Sequence, residues 1–183
     1  MLVALGDTHG DRSHRLDGRT LSAVREAEHV CHAGDFTTER VYEAIAEEAG
    51  RERDATALSA VAGNSDEPDL AARLPETLTV EYAGWTVVLT HGHDRDDTSL
   101  SLLARQEDAD VVVVGHTHRP AIERTPHCLI VNPGSHADPR GNRPAHGELT
   151  QDDDELVIEL RTPDGERLAA QTLSDGRNGH SVR

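Results

Sequence analysis

The chain has 183 residues, enough for one domain with a substantial core. Its formal net charge is −16, all 18 basic residues are arginine and no basic cluster exists, which disfavours nucleic-acid binding through a basic patch. No apolar run approaches the roughly 18 residues of a membrane span; the start turns acidic at Asp7, too early for a signal peptide, so a cytoplasmic protein is expected.

In chain order, a strand over 2–6 precedes a helix near 19–28, where Leu21, Val24 and Ala27 share a face. A strand over 29–33 leads to a helix near 38–49, apolar along Val41, Ile45 and Ala49 and Glu-rich opposite, and a third strand covers 56–62. This alternation predicts a layered α/β sheet. The second half differs. Residues 78–82 and 85–90, separated by Ala83-Gly84, read as a hairpin. A helix near 97–107 precedes a strand over 110–114. Short strands over 122–124, 128–131, 146–150, 155–160 and 167–173 follow, joined by turns such as Pro163-Asp164-Gly165. Two sheets packed face to face with helices outside accommodate them. The expectation is a single domain over 1–173 and a flexible tail over 174–183, which lacks periodicity. Cys31 and Cys128 lie inside apolar runs and read as reduced, buried hydrophobes.

Five apolar runs stop at a glycine next to a residue of metal-ligand type: Gly6-Asp7-Thr8-His9, Gly34-Asp35, Gly63-Asn64, His91-Gly92-His93 and Gly115-His116-Thr117-His118. Asp7 and His9, His91 and His93, and His116 and His118 are each two apart, and in an extended segment such residues face the same way. Strand carboxyl ends are where α/β sheets place their ligands. Of the seven candidate metal ligands Asp7, His9, Asp35, Asn64, His91, His116 and His118, only two are carboxylates. Two divalent ions would leave a surplus of about two positive charges, which attracts an anion and acidifies a bound water. Imidazole mixed with carboxylate and amide suits Mn, Fe, Zn or Ni better than Ca or Mg, with manganese the first choice.

In this order the motifs resemble those of the calcineurin-like metallophosphoesterases, in particular the small YfcE-like and retromer-subunit-29-like branch. Asn132-Pro133-Gly134-Ser135 followed by Pro139-Arg140 is similar to that branch's closing segment, and its first four residues read as a structural turn that packs beneath the metals. The resemblance implies a four-layer αββα sandwich of two mixed β-sheets flanked by helices. It implies Asp7, His9 and His118 on one metal, Asn64, His91 and His116 on the other, and Asp35 bridging. It implies a phosphoesterase, foremost a phosphodiesterase of small phosphate esters, that attacks through a metal-bridging hydroxide. Two departures matter: Gly6 precedes Asp7 where serine is frequent and, more important, many relatives carry histidine after the metal-binding asparagine, where this chain has Ser65. His93 becomes the candidate general acid, with Asp66 orienting it or a water. Arg12 and Arg140 could meet a phosphate, although solvated arginines are the plainer reading. His32 reads equally as a support for a ligand or as core. The alternative function is a non-catalytic metal-binding scaffold of the retromer-subunit-29 type. Oligomeric state is left open.

The acidic, lysine-free composition fits a protein from a salt-rich cytoplasm, the halophile reading. At ~1 M salt the Debye length falls to about 3 Å, so self-repulsion is screened. Native circular dichroism is expected to fade as salt falls from molar to millimolar; an unchanged spectrum rejects this reading.

Overall fold

A computed structural model describes residues 1–50 and 58–174. The first half runs β1 (Leu2–Leu5), α1 (Gly18–Glu26), β2 (His29–His32), α2 (Glu39–Gly50), β3 (Leu58–Ala60) and α3 (Pro68–Arg73). Then come β4 (Thr77–Tyr82), β5 (Trp85–Thr90), α4 (Asp97–Gln106), β6 (Val111–Val114), β7 (Ala121–Arg124) and β8 (Leu129–Asn132). The chain closes with β9 (His146–Asp152), β10 (Glu155–Arg161) and β11 (Arg167–Ser174). Ser174, expected to open the tail, instead ends β11; residues 175–183, and residues 56 and 57 of the expected third strand, lie outside the described residues.

The strands form two mixed sheets, one ordered β11-β10-β9-β1-β2-β3 and the other β4-β5-β6-β8-β7. Within the first, β1, β2 and β3 are parallel; within the second, β5, β6 and β8 are parallel. Each sheet therefore gathers its parallel carboxyl ends along one edge.

Alternation along the strands explains the layering. Leu2 and Ala4 of β1 face a core shared with Val87, Leu89, Val111, Val113, Leu129 and Val131 of the second sheet. Val3 and Leu5 point the other way, onto Ala23 and Val24 of α1 and Val41 and Ile45 of α2. On the far side, Val88, Val112 and Ile130 meet Leu100, Leu103 and Ala104 of α4. The order is helices, sheet, sheet, helix, an α/β fold with two mixed sheets between helical layers. Strands with apolar side chains on both faces are what such burial requires. α4 begins at a reciprocal cap, in which the Ser99 amide donates 2.8 Å to Asp96 Oδ1 while the Asp96 amide donates 2.8 Å to Ser99 Oγ. Cys31 and Cys128 are free and buried. Among the described residues no helix is long and apolar enough to cross a membrane.

Helix α3 has no counterpart in the sequence reading. It is six residues long with one buried anchor, Leu70, so it shows no period; Pro68 and Asp69 in its first turn are its local start signals.

Candidate metal centre

The loops that leave β1, β2, β3, β5 and β6 meet at the shared carboxyl edge. Asp7, Asp35, His91 and His118 are buried, at 0–2% exposure, while Asn64, His93 and His116 are exposed, so the cluster runs from a closed floor to an open rim. Asp7, His9 and His118 can present ligand atoms within 4.8 Å of one another, and so can Asp7, Asp35 and His91. The second triad mixes residues that the resemblance divides between two ions.

These loops are not extended. Asp7 (φ 51°), His9 (45°), Asp35 (62°), His116 (68°) and His118 (57°) all adopt left-handed backbone. Non-glycine residues rarely do so, and such strain concentrates at functional sites. The two-residue spacing therefore converges through successive sharp turns, where the sequence suggested a flat strand extension. Gly63 is needed because a Cβ there would lie 2.1 Å from Asp35 Oδ1 and 2.2 Å from the Asp35 amide nitrogen.

The imidazoles are held from behind. His91 Nδ1 donates to Ala33 O at 2.7 Å, and His118 Nδ1 donates to Asp138 O. Both rings thereby turn Nε2 into the cluster. There, His118 Nε2 lies 3.2 Å from His9 Nε2, His91 Nε2 lies 3.0 Å from Asn64 Oδ1 and 3.4 Å from Asp35 Oδ2, and His116 Nδ1 lies 3.2 Å from Asn64 Oδ1. Lone pairs thus face lone pairs, an arrangement that needs a proton or a cation between them. Asp7 Oδ2 is buried with no hydrogen-bond partner. Burial pushes the Asp7 carboxyl pKa up, against the pull of His118 and His91. Asp35 is also opposed by burial, but the close imidazoles of His9 and His91 hold its carboxyl well below the usual carboxylate range. A buried, unpartnered carboxylate oxygen beside inward-facing imidazole nitrogens is a donor set that fits divalent cations.

Several residues beside the ligands hold the loops in place. Ser65 clamps Asp35 through its amide (2.8 Å to Oδ1) and hydroxyl (3.0 Å to Oδ2). Asn132 Nδ2 donates to Gly115 O at 2.8 Å and to Thr117 Oγ1 at 2.9 Å, and Ser135 Oγ donates to Asp7 O at 2.7 Å. The Asn132–Ser135 segment thus ties the His116 loop to the Asp7 loop. His32 accepts the Gly34 amide on Nδ1 at 3.2 Å, donates from Nε2 to Thr8 Oγ1 at 2.9 Å and stacks on Phe36, joining two of these loops.

Asp66, expected to orient His93 or a water, is engaged with the backbone. Its carboxylate accepts the amides of Thr37 (2.8 Å), Gly63 (2.7 Å) and Asp35 (3.3 Å). No described hydrogen bond joins it to His93. With three backbone donors on its carboxylate, it staples the Asp35 and Asn64 loops together. His93 sits at the rim, its ring 5.6 Å from that of His91 and 6.3 Å from that of His116.

Comparison with known proteins identifies the family. The calcineurin-like phosphoesterase superfamily domain matches residues 1–153. A probable metallophosphoesterase of Methanothermobacter thermautotrophicus is 31% identical over 180 residues, covering 96% of this chain and 93% of that protein. Among solved structures, a predicted phosphoesterase from Streptococcus pneumoniae superposes with a TM-score of 0.66 at 24% identity, over 94% of this chain and 96% of that one. Vps29 from Entamoeba histolytica, in complex with zinc, superposes with a TM-score of 0.73 at 25% identity, over 94% and 98%. Since the family match contains all five converging loops, this chain belongs to the calcineurin-like phosphoesterase superfamily.

Proposed function

We propose that the protein is a dinuclear metal-dependent phosphoesterase that acts foremost on phosphodiesters. The observation that carries this reading is the convergence of Asp7, His9, Asp35, Asn64, His91, His116 and His118, with the buried Asp7 Oδ2 left without a partner. Asp7, His9 and His118 would hold one ion, Asn64, His91 and His116 the other, and Asp35 both. When bound, two divalent cations supply Lewis acidity and an activated water for in-line displacement at phosphorus.

The chain's own residues do the rest. Asp66 and Ser65 hold Asp35, while Ala33 O and Asp138 O hold the His91 and His118 rings. His93 stands at the open rim, where a leaving group would depart, and gives it a proton. The adjoining hollow is about 210 Å³, lined by Asn64, Thr90, His91, His93 and Arg95, and suits a small or flexible ester.

The test is hydrolysis of bis-p-nitrophenyl phosphate and of a matched alkyl diester by manganese-loaded protein in high salt. Turnover of both is expected. His93→Ala should lose about 10²–10⁴-fold on the alkyl diester and little on the nitrophenyl ester, whose leaving group needs no proton. Equal losses on both would exclude His93 as the acid. The similarity to Vps29 favours a scaffold as the second reading. That relative is itself complexed with zinc, so metal uptake does not separate the two readings and turnover does. Metal-loaded protein with no turnover on any diester points to the scaffold.

A further inference from the structure

We infer that Arg140 is a substrate-contacting residue, whose guanidinium takes a phosphoryl oxygen at the His9 end of the cluster. The inference rests on the phosphoesterase reading for the identity of the anion, and on the following contacts for its place.

Arg140 Nη2 lies 3.2 Å from His9 Nε2, the nitrogen turned toward His118 and Asp35. Arg140 Nε donates to Asp138 Oδ2 at 3.1 Å. Asp138 therefore serves two groups: its carbonyl orients His118 and its carboxylate aims Arg140. The backbone at Arg140 is left-handed (φ 46°), a conformation that arginine adopts only when its surroundings hold it there.

A single lone pair on His9 Nε2 cannot serve both a guanidinium and a cation. Once a cation takes it, the Arg140 N–H loses its acceptor while Asp138 keeps the side chain in place. A phosphate oxygen at the cluster is then the acceptor of matching charge. The flat guanidinium fork suits that geometry better than a point charge does. Arg15 is not available for this role, because its Nη2 donates to the carbonyls of Thr8 and His9, each at 3.0 Å. In a chain of net charge −16, a cation beside the cluster also offsets the long-range repulsion of an anionic substrate.

The experiment compares wild type, Arg140→Ala and Arg140→Lys by calorimetric titration, first with manganese and then, on manganese-loaded protein, with inorganic phosphate. Arg140→Ala should bind manganese as tightly as wild type or more tightly, since a neighbouring positive charge is gone. Its phosphate affinity should fall about ten- to a hundredfold, with Arg140→Lys recovering part of the loss. Phosphate affinity within about twofold of wild type in Arg140→Ala overturns the inference. So does a parallel loss of manganese affinity, which would make Arg140 a strut for the Asp138–His118 contact, and so does a wild type that takes up no phosphate. Turnover is read separately: Arg140-dependent phosphate binding without diester hydrolysis would keep this inference and sink the enzymatic reading.

Discussion

Replacing Asp35 by Asn is expected to abolish manganese-dependent hydrolysis and to weaken metal uptake on the order of a thousandfold. Asp35 is 2% exposed, and its Oδ2 lies 3.2 Å from His9 Nε2 and 3.4 Å from His91 Nε2. It is thus the carboxylate placed between the two halves of the ligand set. Asparagine keeps the shape but removes one of the two negative charges. At an effective dielectric constant of about 20, two unit charges ~4 Å apart are worth about 4 kcal/mol, or three decades in affinity, and a divalent ion feels more. The amide hydrogens would also point at imidazole nitrogens that need to face a cation. Metal content after dialysis, read by mass spectrometry beside the rate, checks this. A thermal melt of metal-free protein separates lost chemistry from lost folding. An Asn variant with wild-type metal content and rate would remove Asp35 from the bridging position.

The second large effect lies away from the site, under α1. Glu148 of β9 is 6% exposed and pairs with Arg19 of α1 through two bonds, Nε to Oε1 at 2.8 Å and Nη2 to Oε2 at 2.9 Å. His146, fully buried, joins the same carboxylate at 3.0 Å and Thr20 at 2.9 Å. Burial opposes the Glu148 charge, but the hydrogen bonds from His146 and Arg19 prevail and hold its pKa down to about 2, from 4.5. A depressed carboxyl pKa means stability that is fully present above 4.5 and lost as pH falls from there through about 2. The shift corresponds to about 3 kcal/mol, and removing one partner of a buried pair costs about that much or more. Glu148→Gln should therefore lower the melting temperature by about 5–10 °C at pH 7. The gap to wild type should narrow below pH 4.5 and close near pH 2. A gap independent of pH would mean that packing, not charge, sets the cost. Because Glu148 pairs in register with Val3 of β1, the strand that delivers Asp7, loosening here also bears on the metal cluster.

The two networks show how differently parts of this protein are written in its sequence. The seven candidate ligands stand out because their signal is local: a short apolar run that ends at a glycine beside a ligand type, with the glycine first in four motifs and His91 first in the fifth. The same runs give the alternation that puts Leu2 and Ala4 on one face and Val3 and Leu5 on the other, so the layers are legible too. Strand order is not. β9 pairs with β1 across more than a hundred residues, and β8 inserts between β6 and β7, choices made by which apolar faces bury best together.

The partners of the supports around the site were hidden for the same reason. Ser65, Asn132 and Ser135 stand in the motifs, but that they hold Asp35, Gly115 and Asp7 appears only once the fold brings them together. Asp66 carries the right functional group for chemistry, and only the fold shows that its carboxylate also holds three backbone amides of the site loops. Arg140 meets His9 across 131 positions, and Arg19 meets Glu148 across 129. What the amino-acid order determined unaided was the kind of side chain at each strand end, because turn geometry and hydrophobic period act over a few residues. What the tertiary structure decided was which of those side chains touch, since a hydrogen bond or an ion pair depends on ångströms between segments that spacing along a chain does not encode.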